Sequence, residues 1–121
     1  MILAIDHFQV SIPAGGVPRA LDFYVDILGF TRIAKPAYMD QSGAWLIGGS
    51  VNLHLGERKE GETFTTSPDA HPAIRVDNFQ ALMRLAEQKG LKIRVDKGPS
   101  GFYRGSIWDP FGNRIELMQK L

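Results

Sequence analysis

The sequence has no cysteine. That excludes disulfides, thiolate zinc sites, iron–sulfur clusters and thiol nucleophiles, and leaves any metal to be held by nitrogen and oxygen. An excess of one charge is also missing: 14 Lys and Arg face 13 Asp and Glu, for a formal net charge of +1. Such a balance gives no electrostatic reason to expect nucleic acid or an anionic membrane surface, and the basic residues are dispersed along the chain. No apolar run approaches the roughly 18 residues of a membrane span. Met1 to Asp6 offers neither a basic leader nor a long apolar stretch, so the expectation is a cytoplasmic protein without a signal peptide. A phosphate-cradling loop is absent as well, because Gly15-Gly16 and Gly48-Gly49 lack the rest of such a motif.

What is present is enough for one domain: 121 residues, 44% of them hydrophobic. Ile2 to Ile12 alternates apolar and polar residues and ends in the turn residues Pro13 to Gly16, which predicts a strand. Pro18 suits the first turn of a helix. Ala20, Phe23, Tyr24, Ile27 and Leu28 then form one apolar stripe, with Gly29 as its stop. Thr31 to Ala34, Ala44 to Ile47 and Val51 to Leu55 read as three short strands separated by Pro36, Ser42-Gly43 and Gly48-Gly49. A polar stretch, Gly56 to Ala70, is long for a connection and reads as a linker or a functional flap.

The second half repeats the order β-α-β-β-β. Pro72 to Val76 is a strand, and Asp77 or Asn78 can cap a helix with the stripe Phe79, Leu82, Met83 and Ala86, stopped by Gly90. Leu91 to Val95, Gly105 to Trp108 and Arg114 to Met118 follow as strands. His7 and His71 are 64 residues apart and Gly29 and Gly90 are 61 apart. The repeat therefore rests on element order and stops rather than on matched letters. It predicts an α+β fold in a single domain: module 1 over about 1–56, a linker over about 57–70 and module 2 over about 71–121.

Strand alternation sorts the polar residues. Phe8, Val10 and Ile12 oppose His7, Gln9 and Ser11; Val51, Leu53 and Leu55 oppose Asn52 and His54. Ile74 and Val76 oppose His71, Ala73 and Arg75, while Ile115 and Leu117 oppose Arg114, Glu116 and Met118. All three histidines of the chain thus fall on faces away from the core, at equivalent strands, with a carboxylate at the fourth position. If a pseudo-twofold axis relates the halves, His7, His54, His71 and Glu116 can converge on one point. Imidazoles with a carboxylate suit Zn, Ni, Fe, Mn or Co. The alternative is a set of unrelated surface residues.

The sequence resembles the vicinal oxygen chelate superfamily, which includes glyoxalase I, bleomycin-resistance proteins, extradiol dioxygenases and fosfomycin-resistance thiol transferases. The strings that carry the likeness are Asp6-His7-Phe8-Gln9-Val10, Phe23-Tyr24 with Leu28-Gly29-Phe30, His71 to Asp77, and Asp109-Pro110-Phe111-Gly112-Asn113-Arg114-Ile115-Glu116. The resemblance implies two βαβββ modules forming a curved mixed sheet around a metal-binding cup. It implies His7, His71 and Glu116 as ligands of a divalent metal (Zn, Ni, Fe, Mn or Co), with a small-molecule substrate and a homodimer. His54 stands where glyoxalase I has a carboxylate, so it is the candidate catalytic base or a fourth ligand. Gln9 replaces the hydroxyl residue of the thiol transferases and is counted with the substrate-facing residues. Arg75 and Arg114 are expected on the cup face, either binding a substrate carboxylate or pairing with Glu116. Tyr103 and Arg104 are expected on a flexible loop after Gly98-Pro99-Ser100-Gly101 that closes over substrate, or at a hairpin tip. Trp45 and Trp108 line the cup or fill it. The implied activity is a metal-dependent lyase, isomerase or dioxygenase; the alternative is a bleomycin-resistance-type protein that binds a ligand without chemistry.

Overall fold

The structure is a computed structural model that describes residues 1–97 and 101–121. Ten elements follow one another: β1 (Phe8–Ile12), α1 (Val17–Tyr24), β2 (Thr31–Ile33), β3 (Ala44–Gly48), β4 (Val51–Glu57), β5 (Ala73–Arg75), α2 (Phe79–Gln88), β6 (Ile93–Asp96), β7 (Phe102–Trp108) and β8 (Arg114–Lys120). They form two four-stranded mixed sheets, ordered β1-β4-β3-β2 and β5-β8-β7-β6. In each sheet the first strand of the module runs parallel to the last, and the remaining pairs are antiparallel. The fold is thus α+β, built from two βαβββ modules. The chain divides into two compact units, Met1–Thr65 and Thr66–Leu121. No helix among the described residues is long and apolar enough to cross a membrane.

In the first unit Val10, Ile12, Leu46, Leu53 and Leu55 are buried, as are Ala20, Phe23 and Tyr24 of α1. In the second, Ile74, Ile107, Ile115 and Leu117 are buried together with Phe79, Leu82, Met83 and Ala86 of α2. Burial of each such large side chain stabilises the fold by about 1.5–3 kcal/mol before conformational entropy is subtracted. Period-2 alternation thereby hands one face of each sheet to the core and leaves the other to polar side chains. Helix α2 comes close enough to its sheet that a Cβ at Gly105 would collide with the Arg94 carbonyl and press on the Phe79 ring.

Several boundaries differ from the sequence expectation. β1 begins at Phe8, and Ile2, Leu3 and Ile5 are exposed. Ile2 to Ile5 have no partner strand: Phe8 pairs with Leu53, so the register reaches the start of β4 at Val51 opposite Asp6, and residues before it find no ladder to join. Helix α1 ends at Tyr24; Ile27 and Leu28 lie in a turn whose Leu28 amide donates to the Phe23 carbonyl, one residue beyond helical spacing. β4 continues through Gly56 and Glu57, which the sequence reading assigns to the polar stretch. Asn78 occupies the N-cap of α2 but makes no side-chain cap bond; instead Gln119 of β8 accepts the Phe79 amide at 2.8 Å.

The flexible-loop expectation for Tyr103 and Arg104 is corrected. Both belong to β7, paired with Gln119 and Met118 of β8. Gly101 lies just before the strand, and Gly98, Pro99 and Ser100 fall outside the described residues.

Candidate functional site

The expected site residues gather into two groups, one in each unit. In the first, the β1–β4–β3 adjacency sets three rings in a row. His7 stacks on His54 with centroids 4.0 Å apart and planes 19° apart; His54 stacks on Trp45 at 4.4 Å and 5°. The His7 Nδ1–H donates to Asp6 Oδ1 at 2.7 Å, so in the neutral ring Nε2 is the nitrogen that carries the lone pair. The Asn52 side chain ties the Asp6 carbonyl to β4. Burial, and then the neighbouring His7, push the His54 imidazole below its ordinary range, against a raising effect of Asp6. Gln9 lies on the same face, against Gly56, where a Cβ would run into its side-chain amide.

This stack bears on the role of His54. An imidazole lone pair lies in the plane of its ring, and a nitrogen–metal bond is about 2.0–2.1 Å long. Two nearly parallel rings 4.0 Å apart cannot aim both lone pairs at one such ion. In this arrangement His54 is not a second ligand beside His7, which leaves it as a proton-handling or wall residue.

In the second unit the register Ala73–Glu116–Ser106 aligns β5, β8 and β7 around Glu116. Glu116 is buried although it faces away from the helix. Its Oε1 lies 3.7 Å from His71 Nε2, 3.2 Å from an Arg104 guanidinium nitrogen and 3.7 Å from one of Arg114. His71 Nδ1–H donates to the Asp69 carbonyl at 2.6 Å, which fixes the tautomer and turns Nε2 toward Glu116. Arg114 also donates to the fully buried Ser106 hydroxyl at 2.9 Å. Trp108 lies under Lys92, whose Nζ is 4.3 Å from the ring centre. Arg75 lies over the Phe102 ring at 5.0 Å. Tyr103 is on the opposite, helix-facing side of β7 and stacks on Phe79, so it does not share the face of the other candidates.

Among the described residues, no three His, Asp or Glu side chains form a group that could hold a metal ion. The donors are nonetheless prepared: in both His7 and His71 an oxygen holds Nδ1–H and frees Nε2, the outer-shell pattern that accompanies metal-ligating histidine. Sequence reasoning missed Asp6 and the Asp69 carbonyl as these orienting groups, and Ser106 as the support of Arg114. Adjacency to His7 is a usable signal for Asp6. Ser106 alternates with Arg104 and Trp108, which marks it as facing the same way.

A model of the family described as Glyoxalase/Bleomycin resistance protein/Dioxygenase superfamily matches residues 4–117. "Glyoxylase I 4" of Arabidopsis thaliana is 26% identical over 124 residues, spanning 96% of this chain and 70% of that one. A solved glyoxalase family protein from Bacillus anthracis superposes with a TM-score of 0.89 at 31% identity, covering 100% of this chain and 98% of its own. TnmS3, an antibiotic binding protein from Streptomyces sp. CB03234, shares the fold with a TM-score of 0.69 at 23% identity, covering 99% of this chain and 100% of its own.

Proposed function

Because the chain belongs to the Glyoxalase/Bleomycin resistance protein/Dioxygenase superfamily, we propose that it is a metal-dependent lyase, isomerase or related enzyme acting on a small, oxygen-chelating metabolite. The observation that carries this reading is the His71–Glu116 pair, with Nε2 and Oε1 3.7 Å apart and the His71 Nδ1 side held by the Asp69 carbonyl, so that Nε2 is the ring nitrogen facing the carboxylate. His7, with its Nδ1 held by Asp6, supplies a second imidazole of the same kind. We propose His71 and Glu116 as residues that hold a divalent ion of the Zn, Ni, Fe, Mn or Co group, with His7 as the further ligand that the sequence resemblance implies. When bound, such an ion polarises substrate oxygens and stabilises developing negative charge.

The chain's own residues do the remaining work. His54, its proton affinity lowered by burial and by His7 and its ring stacked on Trp45, accepts or returns a proton at a ring nitrogen. Gln9, Arg75, Arg104, Trp108 and Arg114 bind and orient the substrate, Arg114 braced by Ser106. Arg104 and Arg114 also hold the Glu116 carboxylate in place.

A second reading, ligand binding without chemistry, has two observations in its favour: Glu116 Oε1 is already engaged by two arginines, and the His7–His54–Trp45 stack offers a flat aromatic face. One experiment separates the two. The protein is stripped with chelator, reconstituted with each candidate ion and analysed for bound metal alongside His7→Ala, His71→Ala and Glu116→Gln. The enzyme reading expects about one ion per chain in the wild type and its loss in the variants, since removing a ligand sharply weakens affinity. No retained metal in the wild type, or equal retention in all four, overturns it in favour of the binding protein.

A further inference from the structure

Residues 1–5 are all apolar, and none of them joins a helix or a strand. Ile2, Leu3 and Ile5 are 94%, 93% and 84% exposed, and Met1 is exposed as well. Among the described residues their backbone makes no hydrogen bond; the chain is first tied down at the Asp6 carbonyl, which accepts from the Asn52 side chain. Drawn out as a strand, this arm is apolar on both sides, with Met1, Leu3 and Ile5 on one and Ile2 and Ala4 on the other. A strand of that kind is one that is covered on both sides. The same unit exposes a second apolar set. β2 is the edge strand in the order β1-β4-β3-β2, and Thr31, Arg32 and Ile33 are all exposed. Ile33 and, beyond it, Tyr38, Met39 and Ile47 stay open to water. Of the eleven large hydrophobic side chains exposed among the described residues, these two sets supply eight.

We propose that residues 1–5 are an exchange arm: they dock along β2 of a second copy of this chain and add a strand to its first sheet, while that copy's arm returns the contact. The chain's own β2 is out of reach. β1 and β2 lie at opposite edges of one sheet, three strand spacings or about 14 Å apart. Five extended residues span about 17 Å, so an arm that crossed to its own β2 would have almost nothing left to pair with it. A second copy brings its β2 alongside without that crossing. Each copy gives one arm and receives one, so the contact closes with twofold symmetry rather than propagating into a fibre. The area is sufficient. Burying a large apolar side chain removes roughly 60–120 Å² from water. Two arms with the surfaces they cover come to about 1,000–2,000 Å², the size of a specific interface. Main-chain bonds to the open edge of β2 then set the direction of the arm, and Ile33, Met39 and Ile47 receive its side chains. This assembly is built in the first unit and needs no metal, so it stands apart from the function proposed above.

The test is analytical ultracentrifugation of the untagged full chain from about 1 to about 100 μM. A dimer is expected. Leu3→Asp and Ile33→Asp are each expected to raise its dissociation constant about a hundredfold with unchanged circular dichroism, because a charge would be buried in the contact. Val95→Asp, at an exposed apolar position of the second unit, is expected to leave the dimer intact. The absence of cysteine allows the pairing itself to be read. Ile33→Cys chains are mixed with Leu3→Cys chains, or with Ile2→Cys chains for the other side of the arm, and oxidised with diamide. A disulfide joining the two kinds of chain is expected, since the bond forms only where two backbones come close. A monomer over the whole range overturns the proposal, and its sedimentation with phosphatidylcholine vesicles would give the arm to a lipid surface instead. A dimer that either charge substitution leaves unweakened, or that Val95→Asp weakens as much, overturns it too. So does a Leu3→Cys/Ile33→Cys double variant whose disulfide closes within one chain.

Discussion

Two carboxylates outside the candidate site hold backbone that the sequence marks only as turns. Asp109 is buried, and its Oδ1 accepts the Phe111 and Asn113 amides at 2.9 and 2.8 Å while Oδ2 accepts the Asn113 side-chain amide at 2.8 Å. The string Asp109-Pro110-Phe111-Gly112-Asn113 is therefore a self-bonded turn that aims β8, and with it Glu116. Asp109→Ala leaves three donors without their acceptor and is expected to cost about 3 kcal/mol in urea unfolding. Glu57 does the same for the first unit: it accepts the Gly43 amide at 3.0 Å and the Gly15 amide at 2.8 Å. Gly43 has a φ of 69° and sits where a Cβ would collide with the Leu55 carbonyl, so the bond fixes a turn that only glycine can make. The two amides, Gly43 first, hold the Glu57 carboxyl below its ordinary value of 4.5. A depressed folded value means that the stabilisation is complete above the unfolded value and is lost as pH falls through the folded one. Glu57→Gln is accordingly expected to lose about 1 kcal/mol at pH 7. The gap between variant and wild type narrows steadily below about pH 4.5 in denaturant titrations.

At the scale of elements, the N-terminus of α2 shows how a distant residue can replace a local cap. Asn78 is in the cap position without a side-chain bond, and Gln119, 41 residues later, accepts the Phe79 amide. Asn78→Ala is expected to change stability by less than about 0.5 kcal/mol, whereas Gln119→Ala is expected to cost about 1 kcal/mol. Thermal unfolding of the two variants side by side checks the order. The contrast also marks what a sequence can disclose. Val10 and Ile12 against Gln9 and Ser11, or Ile115 and Leu117 against Arg114 and Glu116, are readable because alternation is local and has period 2. Gly29 and Gly90 are readable as stops, and both have positive φ, 86° and 74°. The end of α1 is not, since Ile27 and Leu28 stay on the helical apolar stripe while the chain has already turned. The start of β1 depends on where β4 begins, and Tyr103 and Arg104 join β7 only because β8 lies beside them. Among the site residues, alternation places His7, His54, His71 and Glu116 on polar faces. The arginines that crowd Glu116 and the rings that sandwich His54 come from neighbouring strands, and pairing is not written in local pattern.

At the scale of the molecule, ligand binding and stability are one equilibrium. An ion that binds the folded chain and not the unfolded one adds RT ln(1 + [L]/Kd), about 2.7 kcal/mol at a hundredfold excess over Kd. For a chain of this size that is an upward shift of roughly 10 °C in Tm. Each variant should move the shift according to what its side chain touches. His71→Ala removes a nitrogen beside Glu116 and is expected to abolish the shift. Trp45→Ala strips one ring from the face of His54 but leaves the Nδ1 bond of His7 to Asp6, so the shift should persist even where activity falls. Arg104→Ala is the most informative. Its guanidinium lies 3.2 Å from Glu116 Oε1, the oxygen that also faces His71 Nε2, so arginine and an ion held between His71 and Glu116 draw on the same carboxylate charge. Removing it should enlarge the metal-induced shift by several degrees while lowering the Tm of the metal-free protein. A shift in Arg104→Ala no larger than that of the wild type would mean that arginine and ion do not compete for the Glu116 charge.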